Sequence, residues 1–164
     1  MTYHYVNGEY VAAEDAVIPV SDLAVLRGYA VFDFLRTYNK VPFFIDAHLS
    51  RLERSAKLVG IKMPMSDEEI YNVIMDLLDM HAKVEGELSF RIMITGGDSY
   101  DNINPIGKSR LLVLTSEVHD PDPIYYDMGA RAITVHDERY SPAAKTTNYM
   151  PAILALQGAL RQDA

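Results

Sequence analysis

The stretch that decides the fold is VFDFLRTYNKVPFFI, residues 31–45. Residues 31–38 are rich in β-branched and aromatic side chains, and only Asn39 and Lys40 separate them from the second apolar run, 41–45. Two such runs with a two-residue connection predict a β-hairpin. Pro42 has no amide hydrogen to donate, so the second strand is predicted to lie at an edge of its sheet.

The sequence predicts further strands on both sides of this hairpin and two helices directly after it. A capping-box pattern at Ser66 and Glu69 begins the second helix, and Asp46 is the predicted N-cap of the first. The predicted strands are 3–6, 10–12, 88–95 and 110–116, and the predicted helices are 47–59 and a longer one after residue 66. Because strands and helices are segregated rather than alternating, the sequence predicts an α+β fold with two layers.

Composition excludes several classes of protein. The 164 residues are 49% hydrophobic and 23% charged, as in a globular domain, and the net charge of −8 disfavours nucleic acid as a partner. No apolar run reaches the ~20 residues of a membrane span. The chain has no cysteine, and its five histidines show no metal-binding spacing, so no metal site is expected. Lack of cysteine and of a readable secretory signal favours a cytoplasmic location. His81 is predicted as a core histidine with a hydrogen-bond partner.

The chain is predicted to contain an N-terminal α+β domain at 1–117, a proline-punctuated linker at 118–129 and the beginning of a C-terminal domain at 130–164. That last part offers only a strand near 130–137 and a helix near 149–161. One strand and one helix cannot bury a core of their own. Either the helix docks on the first domain, or the sequence is the front part of a longer protein; we favour the second.

Lys145 lies in the segment PAAKTTNYMP, residues 142–151, just before the predicted last helix. A cation is unfavourable near a helix N-terminus, where the dipole is positive. The position is easier to explain if the amine is neutral, for instance condensed with an aldehyde. From local physics alone, an ordinary surface lysine remains the other interpretation.

Several motifs, in one order along the chain, carry a family resemblance. They are YVNG (5–8), SD (21–22), RGYAVFDFLRTY (27–38), DAHLSRL (46–52), SA (55–56) and KTTNY (145–149). The sequence resembles the fold-type IV, or class IV, pyridoxal-phosphate-dependent aminotransferases. That group includes branched-chain aminotransferases, D-amino-acid aminotransferases and aminodeoxychorismate lyases.

The resemblance implies a transaminase that uses pyridoxal 5′-phosphate to move an amino group between a small α-amino acid, branched-chain or D-amino, and a 2-oxo acid. It also implies a homodimer with the cofactor between two domains. The alternatives are an aminodeoxychorismate lyase of the same fold and an inactive fragment. Because the resemblance places other cofactor contacts beyond residue 164, a chain that ended there is expected to be inactive.

Six site residues follow from the resemblance. Lys145 matches the catalytic lysine that binds the cofactor covalently, Arg51 the arginine that binds its phosphate, and Tyr149 a tyrosine that reaches its phenolic oxygen. Phe32 occupies a substrate-pocket position. Arg27 and Arg91 are candidates for binding a substrate carboxylate, and strand alternation places Arg91 on the less apolar face of its strand. Surface or ion-paired arginines remain the alternative for both.

The chirality of the substrate stays open. The Lys-x-x-Asn spacing at residues 145–148 is typical of D-amino-acid enzymes and lyases. The absence of an Arg-x-His pair after strand 88–95, together with Phe32, favours the branched-chain enzymes.

Overall fold

A computed structural model describes residues 1–162. Six strands form one antiparallel sheet in the order β2-β1-β6-β5-β3-β4. The strands are β1 Tyr3–Val6, β2 Glu9–Ala12, β3 Ala30–Tyr38, β4 Val41–Pro42, β5 Leu88–Thr95 and β6 Arg110–Glu117. The helices are α1 Leu23–Arg27, α2 Ile45–Leu58, α3 Asp67–Met80, α4 Ile124–Met128 and α5 Met150–Leu160, with a 3-10 turn at Ala13–Asp15.

The hydrophobic core lies between one face of the sheet and the pair α2 and α3. The strands β1, β3, β5 and β6 send alternate side chains into it, as Val31 and Leu35 do from β3. Helix α2 packs on β3, and α3 packs on β1 and β6. This arrangement confirms the predicted two-layer α+β fold. His81 is buried in it, with Nδ1 2.6 Å from the Leu77 carbonyl and Nε2 accepting from the Tyr3 amide at 3.0 Å, which confirms the partnered core histidine.

The β3–β4 hairpin forms as predicted, and β4 is an edge strand. Asn39 and Lys40 both have positive φ, at 50° and 63°, the geometry that a two-residue hairpin turn requires. The second strand is shorter than the predicted 41–45, because Phe44 turns into the left-handed region at φ 47° and α2 begins at Ile45.

The predicted cap of α2 at Asp46 is wrong. Phe44 occupies the N-cap position, and its carbonyl accepts from the amides of Ala47 and His48 at 3.0 and 3.2 Å. Asp46 lies in the first turn instead, where its charge still suits the helix dipole. The capping box at Ser66 and Glu69 is present as predicted.

Helix α1, which the sequence did not predict, leads into β3. The Asp22 side chain caps it by accepting from the Ala24 amide at 2.8 Å. The same carboxylate, fully buried, also accepts from Thr95 Oγ1 at 2.8 Å and from Arg110 Nη1 at 2.6 Å. Gly28 ends the helix at φ 65°, a left-handed conformation that suits glycine. The start of β3 is therefore anchored to β5 and β6.

One expectation for the segment after residue 117 is wrong. The predicted strand at 130–137 is absent; residues 130–139 have no regular structure. The backbone of a strand needs a neighbouring strand to pair with, and residues 130–137 have none in the described range. The proposed linker 118–129, which stays a prediction, contains the short helix α4 directly after Pro123. Helix α5 forms close to the predicted bounds, and none of its residues is buried. Among residues 1–162, no helix has the length and apolar character that a membrane crossing requires.

Candidate functional site

The sheet face opposite the helices carries the first part of the site. Phe32 and Phe34 of β3 point to this face, because they alternate with the core residues of the strand. Their partners on β5 are Met93 and Arg91, respectively. Four neighbouring side chains, three apolar and one cationic, thus form a single patch.

Backbone hydrogen bonds bring Lys145 to this patch. Its carbonyl accepts from the Phe32 amide at 2.9 Å, and the Thr147 amide donates to the Ala30 carbonyl at 3.0 Å. The Lys145 amide donates to the buried Ser55 Oγ of α2 at 3.1 Å. The lysine segment therefore adds to the start of β3, which the short strand β4 leaves unpaired.

An open pocket of about 600 Å³ lies between the patch and the lysine segment. Three other lining side chains approach the Phe32 ring: Lys145 Nζ lies 4.5 Å from the ring centroid, Arg91 Cζ 5.5 Å and the Tyr149 ring centroid 5.6 Å. The structure thus places Lys145, Phe32, Arg91 and Tyr149, four of the residues predicted from sequence, in one pocket. Its lining residues are Phe32, Phe34, Arg91, Met93, Lys145, Thr147, Tyr149 and Ile153.

Arg51 lies outside this pocket, on α2 and the helix-covered face of the sheet. Its Nε and Nη2 donate to the two carboxylate oxygens of Asp33 at 2.7 and 2.8 Å. His48 Nδ1 lies 2.7 Å from the same carboxylate. Ser55 connects this group to the lysine segment, because its hydroxyl also donates to the Arg51 carbonyl at 2.8 Å.

Arg27 does not reach the pocket of Lys145. It lines a separate cavity of about 420 Å³ with Arg139 and Asn148. Its Nη1 donates to the Leu26 carbonyl at 2.8 Å. Of the two arginines predicted to bind substrate, the structure brings only Arg91 to the lysine.

Sequence reasoning missed three polar residues of this region. Asp33 interrupts the core-facing series of β3, and a charge at such a position signals a buried, paired carboxylate. His48 lies three residues before Arg51, on the same side of a helix. Ser55 carried no signal beyond its place near the apolar face of α2.

The pocket has the chemistry to hold a carbonyl compound that carries negative charge. Lys145 supplies a primary amine, which can form a covalent bond to an aldehyde. Arg91 supplies a fixed positive charge, and the aromatic rings supply flat apolar walls. No group of three or more potential metal ligands occurs within the described range 1–162.

Comparison with known families decides which group of proteins has this arrangement. The sequence profile of the family described as Amino-transferase class IV matches residues 30–164, from the first residue of β3 onward. The chain belongs to the class IV aminotransferases. The profile includes both β3 and Lys145, the two segments that meet in the pocket.

Several curated members of the class IV aminotransferases are similar to this chain. A putative branched-chain-amino-acid aminotransferase from Methanocaldococcus jannaschii is 31% identical over 156 residues, 92% of this chain and 53% of its own. A D-alanine aminotransferase from Staphylococcus epidermidis is 27% identical over 168 residues, 100% of this chain and 58% of its own. The aminodeoxychorismate lyase of Bacillus subtilis is 37% identical over 95 residues, 58% of this chain and 32% of its own.

A solved structure shows the same fold. The PLP-bound form of a hypothetical aminotransferase from Mycobacterium tuberculosis superposes with a TM-score of 0.80 at 23% identity, covering 99% of this chain and 60% of that one. The chain thus spans a little more than half the length of these two curated aminotransferases.

Proposed function

We propose that the full-length protein is a pyridoxal-phosphate-dependent transaminase that transfers an amino group between a small α-amino acid and a 2-oxo acid. The observation that carries this proposal is the Lys145 amine, 4.5 Å from the Phe32 ring centroid in a pocket that also contains Arg91. Membership of the class IV aminotransferases supports it.

The residues present fit this cofactor. The Lys145 amine is the group that would hold the aldehyde carbon of the cofactor. Arg51, on the adjacent helix α2, would hold its phosphate with the edge of the guanidinium that Asp33 does not engage. The ring of Tyr149 lines the same pocket and would approach the cofactor ring. When bound, pyridoxal phosphate supplies an electron sink for the charge that develops at the substrate α-carbon.

Side chains of this protein would bind the substrate and transfer the proton. Arg91 would bind the substrate carboxylate and orient the α-carbon toward Lys145. Lys145 Nζ would then accept a proton from that carbon and return it, as a general base and acid. Phe32, Phe34 and Met93 form the apolar walls beside these groups.

The lining of the pocket also indicates the class of substrate. The apolar pocket walls favour a substrate with a small apolar side chain, of either the branched-chain or the D-amino series. Relatives named for both activities are similar to this chain. Comparing the D and L forms of alanine, glutamate and leucine as amino donors would assign the chirality.

A second candidate function is the elimination of pyruvate from aminodeoxychorismate. It is favoured by the similarity to the B. subtilis lyase, which at 37% has a higher identity than the two aminotransferases, although over a shorter stretch. Amino transfer to 2-oxoglutarate or pyruvate, measured beside pyruvate release from aminodeoxychorismate, separates the two. Release of pyruvate without any amino transfer would replace the transaminase proposal by the lyase.

The central experiment changes Lys145→Ala in the full-length protein. The unmodified protein, purified with its cofactor, should be yellow, and borohydride should remove the visible band by reducing the linkage to the lysine. Lys145→Ala should lack the band and the activity, whereas the exposed Lys83→Ala should keep both. A band that persists unchanged in Lys145→Ala would show that another lysine holds the cofactor.

We further propose a homodimer and a cytoplasmic location. The homodimer rests on the resemblance to the family, and light scattering on the purified protein would test it. The location rests on the lack of cysteine, which suits a reducing compartment.

A further inference from the structure

The carboxylate of Asp33 is fully buried and accepts four hydrogen bonds. Its Oδ1 accepts from Arg51 Nη2 at 2.8 Å, His48 Nδ1 at 2.7 Å and the Phe34 amide at 2.7 Å. Its Oδ2 accepts from Arg51 Nε at 2.7 Å. Donors therefore approach both oxygens, and three of the four bonds come from side chains of α2.

These contacts keep the pair ionised. Burial by itself would raise the pKa of Asp33, but the hydrogen bonds from Arg51 and His48 outweigh it and hold the pKa below its ordinary value. The hydrogen bond with Asp33 raises the pKa of Arg51 in turn. A buried carboxylate is tolerated when it is paired and hydrogen-bonded on all sides, as Asp33 is.

The pairing fixes one edge of the Arg51 guanidinium and leaves another edge open. Asp33 engages Nε and Nη2, so both hydrogens of Nη1 point away from it. The Arg51 side chain is 44% exposed, whereas that of Asp33 is inaccessible. A planar cation held in this way offers its free edge to an anion from solvent.

We propose that Asp33 is a positioning residue for phosphate binding: it fixes the Arg51 guanidinium before the phosphate of the cofactor arrives, and His48 holds Asp33 in place. This inference rests on the proposed function, in which Arg51 binds that phosphate. A preorganised side chain loses less freedom on binding than a mobile one does, so the gain appears as cofactor affinity. Asp33 touches neither substrate nor cofactor in this proposal and acts only through Arg51.

The test measures binding of two ligands to the full-length protein by absorbance titration: pyridoxal 5′-phosphate, and pyridoxal, which lacks the phosphate. Asp33→Asn should weaken binding of the phosphorylated ligand by roughly 10- to 100-fold, the size expected for losing a charge-assisted hydrogen bond. The asparagine amide group would face a donor, so Arg51 would lose its fixed orientation. Affinity for pyridoxal should stay unchanged. An equal loss for both ligands would mean that Asp33 is merely structural, and an unchanged affinity for both would equally overturn the inference.

Arg51→Leu separates this inference from the proposed function. It should abolish the preference for the phosphorylated ligand, and adding Asp33→Asn to it should cause no further loss, because the two residues act as one unit. Retention of the preference in Arg51→Leu would contradict the phosphate-binding role that the proposed function gives to Arg51, whereas the transaminase itself is tested by Lys145→Ala. A further loss of affinity for the phosphorylated ligand in the double variant would contradict only the positioning role.

His48 provides a second pair of variants should Asp33→Asn fail to fold. His48→Leu removes a donor to Asp33 and should weaken binding of pyridoxal 5′-phosphate but not of pyridoxal. His48→Asn keeps a donor near the position of Nδ1 and should restore that affinity. Failure of His48→Asn to improve on His48→Leu would count against the proposal.

Discussion

Phe32 lies close to two basic side chains of the open pocket. Lys145 Nζ and Arg91 Cζ lie 4.5 and 5.5 Å from the centroid of its ring. A ring face attracts a cation by about 0.5–2 kcal/mol, depending on solvent access. The ring therefore offsets part of the repulsion between these side chains, and an anionic ligand would offset more. A pocket with this charge balance favours a carboxylate substrate over a neutral one.

The first prediction concerns Arg91. Arg91→Leu should lower kcat/KM by roughly 10- to 100-fold, mainly through KM, because it removes a charge-assisted contact to the substrate carboxylate. The cofactor band should remain, since Lys145 is unchanged. Steady-state kinetics with a fixed 2-oxo acid would measure the effect.

Arg27→Leu is the matched control for that measurement. Arg27 lines a different cavity, so its loss should reduce kcat/KM much less than the loss of Arg91 does. Equal losses for the two variants would show that the pocket of Lys145 does not by itself define the substrate site.

The sequence predicted the orientation of Arg91 but not the contacts of Asp33. Strand alternation puts Phe90 and Ile92 in the core and Arg91 on the opposite face, as the structure shows. For Asp33, alternation indicates a buried carboxylate, yet its partners come from a helix whose rotation against the sheet the pattern does not determine. The pairing of Arg51 with Asp33 depends on that rotation.

The N-cap residue of α1, Asp22, makes hydrogen bonds to three different structural elements. The Asp22 carboxylate binds the helix N-terminus, β5 through Thr95 and β6 through Arg110. The Ser66 cap of α3, by contrast, is exposed, and within residues 1–162 its side chain bonds only with Glu69. The two caps therefore serve different purposes: one joins three elements, and the other stabilises a single helix end.

The second prediction compares these caps. Asp22→Ala should lower the free energy of unfolding by about 3 kcal/mol, because Arg110 loses its buried partner. Ser66→Ala should cost about 1 kcal/mol, the usual cost of losing an exposed cap. Urea denaturation followed by circular dichroism would measure both; a smaller loss for Asp22→Ala than for Ser66→Ala would contradict the assigned role of Asp22.

Most elements were predictable from sequence because local signals determined them. The Asn39–Lys40 turn and the Ser66 capping box are examples. The failed strand at 130–137 shows the limit, since a strand depends on a partner that is often remote in sequence. In the described range, the start of β3 pairs instead with residues 145–147, where no strand was predicted.

Across the whole molecule, burial is concentrated before residue 118. Every member of the hydrophobic core cluster lies between Tyr5 and Val113. Between residues 118 and 162, only Ala144 is buried, and it directly precedes Lys145. Helix α5 exposes apolar side chains such as Leu154 and Leu156, at 56% and 62%. The proposed division into domain 1–117, linker 118–129 and domain 130–164 stays a prediction, and this distribution is the reason to test it.

The third prediction tests that division with the 164-residue chain. Trypsin should first cleave at Arg131 and Arg139, which are exposed in backbone without regular structure. Lys57 is also exposed but lies in α2 and should be protected by the packing of that helix on β3. Mass spectrometry over time would identify the cuts, and early cleavage at Lys57 would argue against an independently stable first domain.

Strand β3 has a consequence for how this chain can vary in length. Phe32 and Asp33 are consecutive, yet one faces the pocket and the other faces α2. A single inserted or deleted residue just before them would exchange the two sides, turning the ring toward Arg51 and the carboxylate toward Lys145. Substitutions in this segment can be judged one by one, but a change of length would remove both halves of the site at once. The exposed loop at 99–105 carries no such restriction.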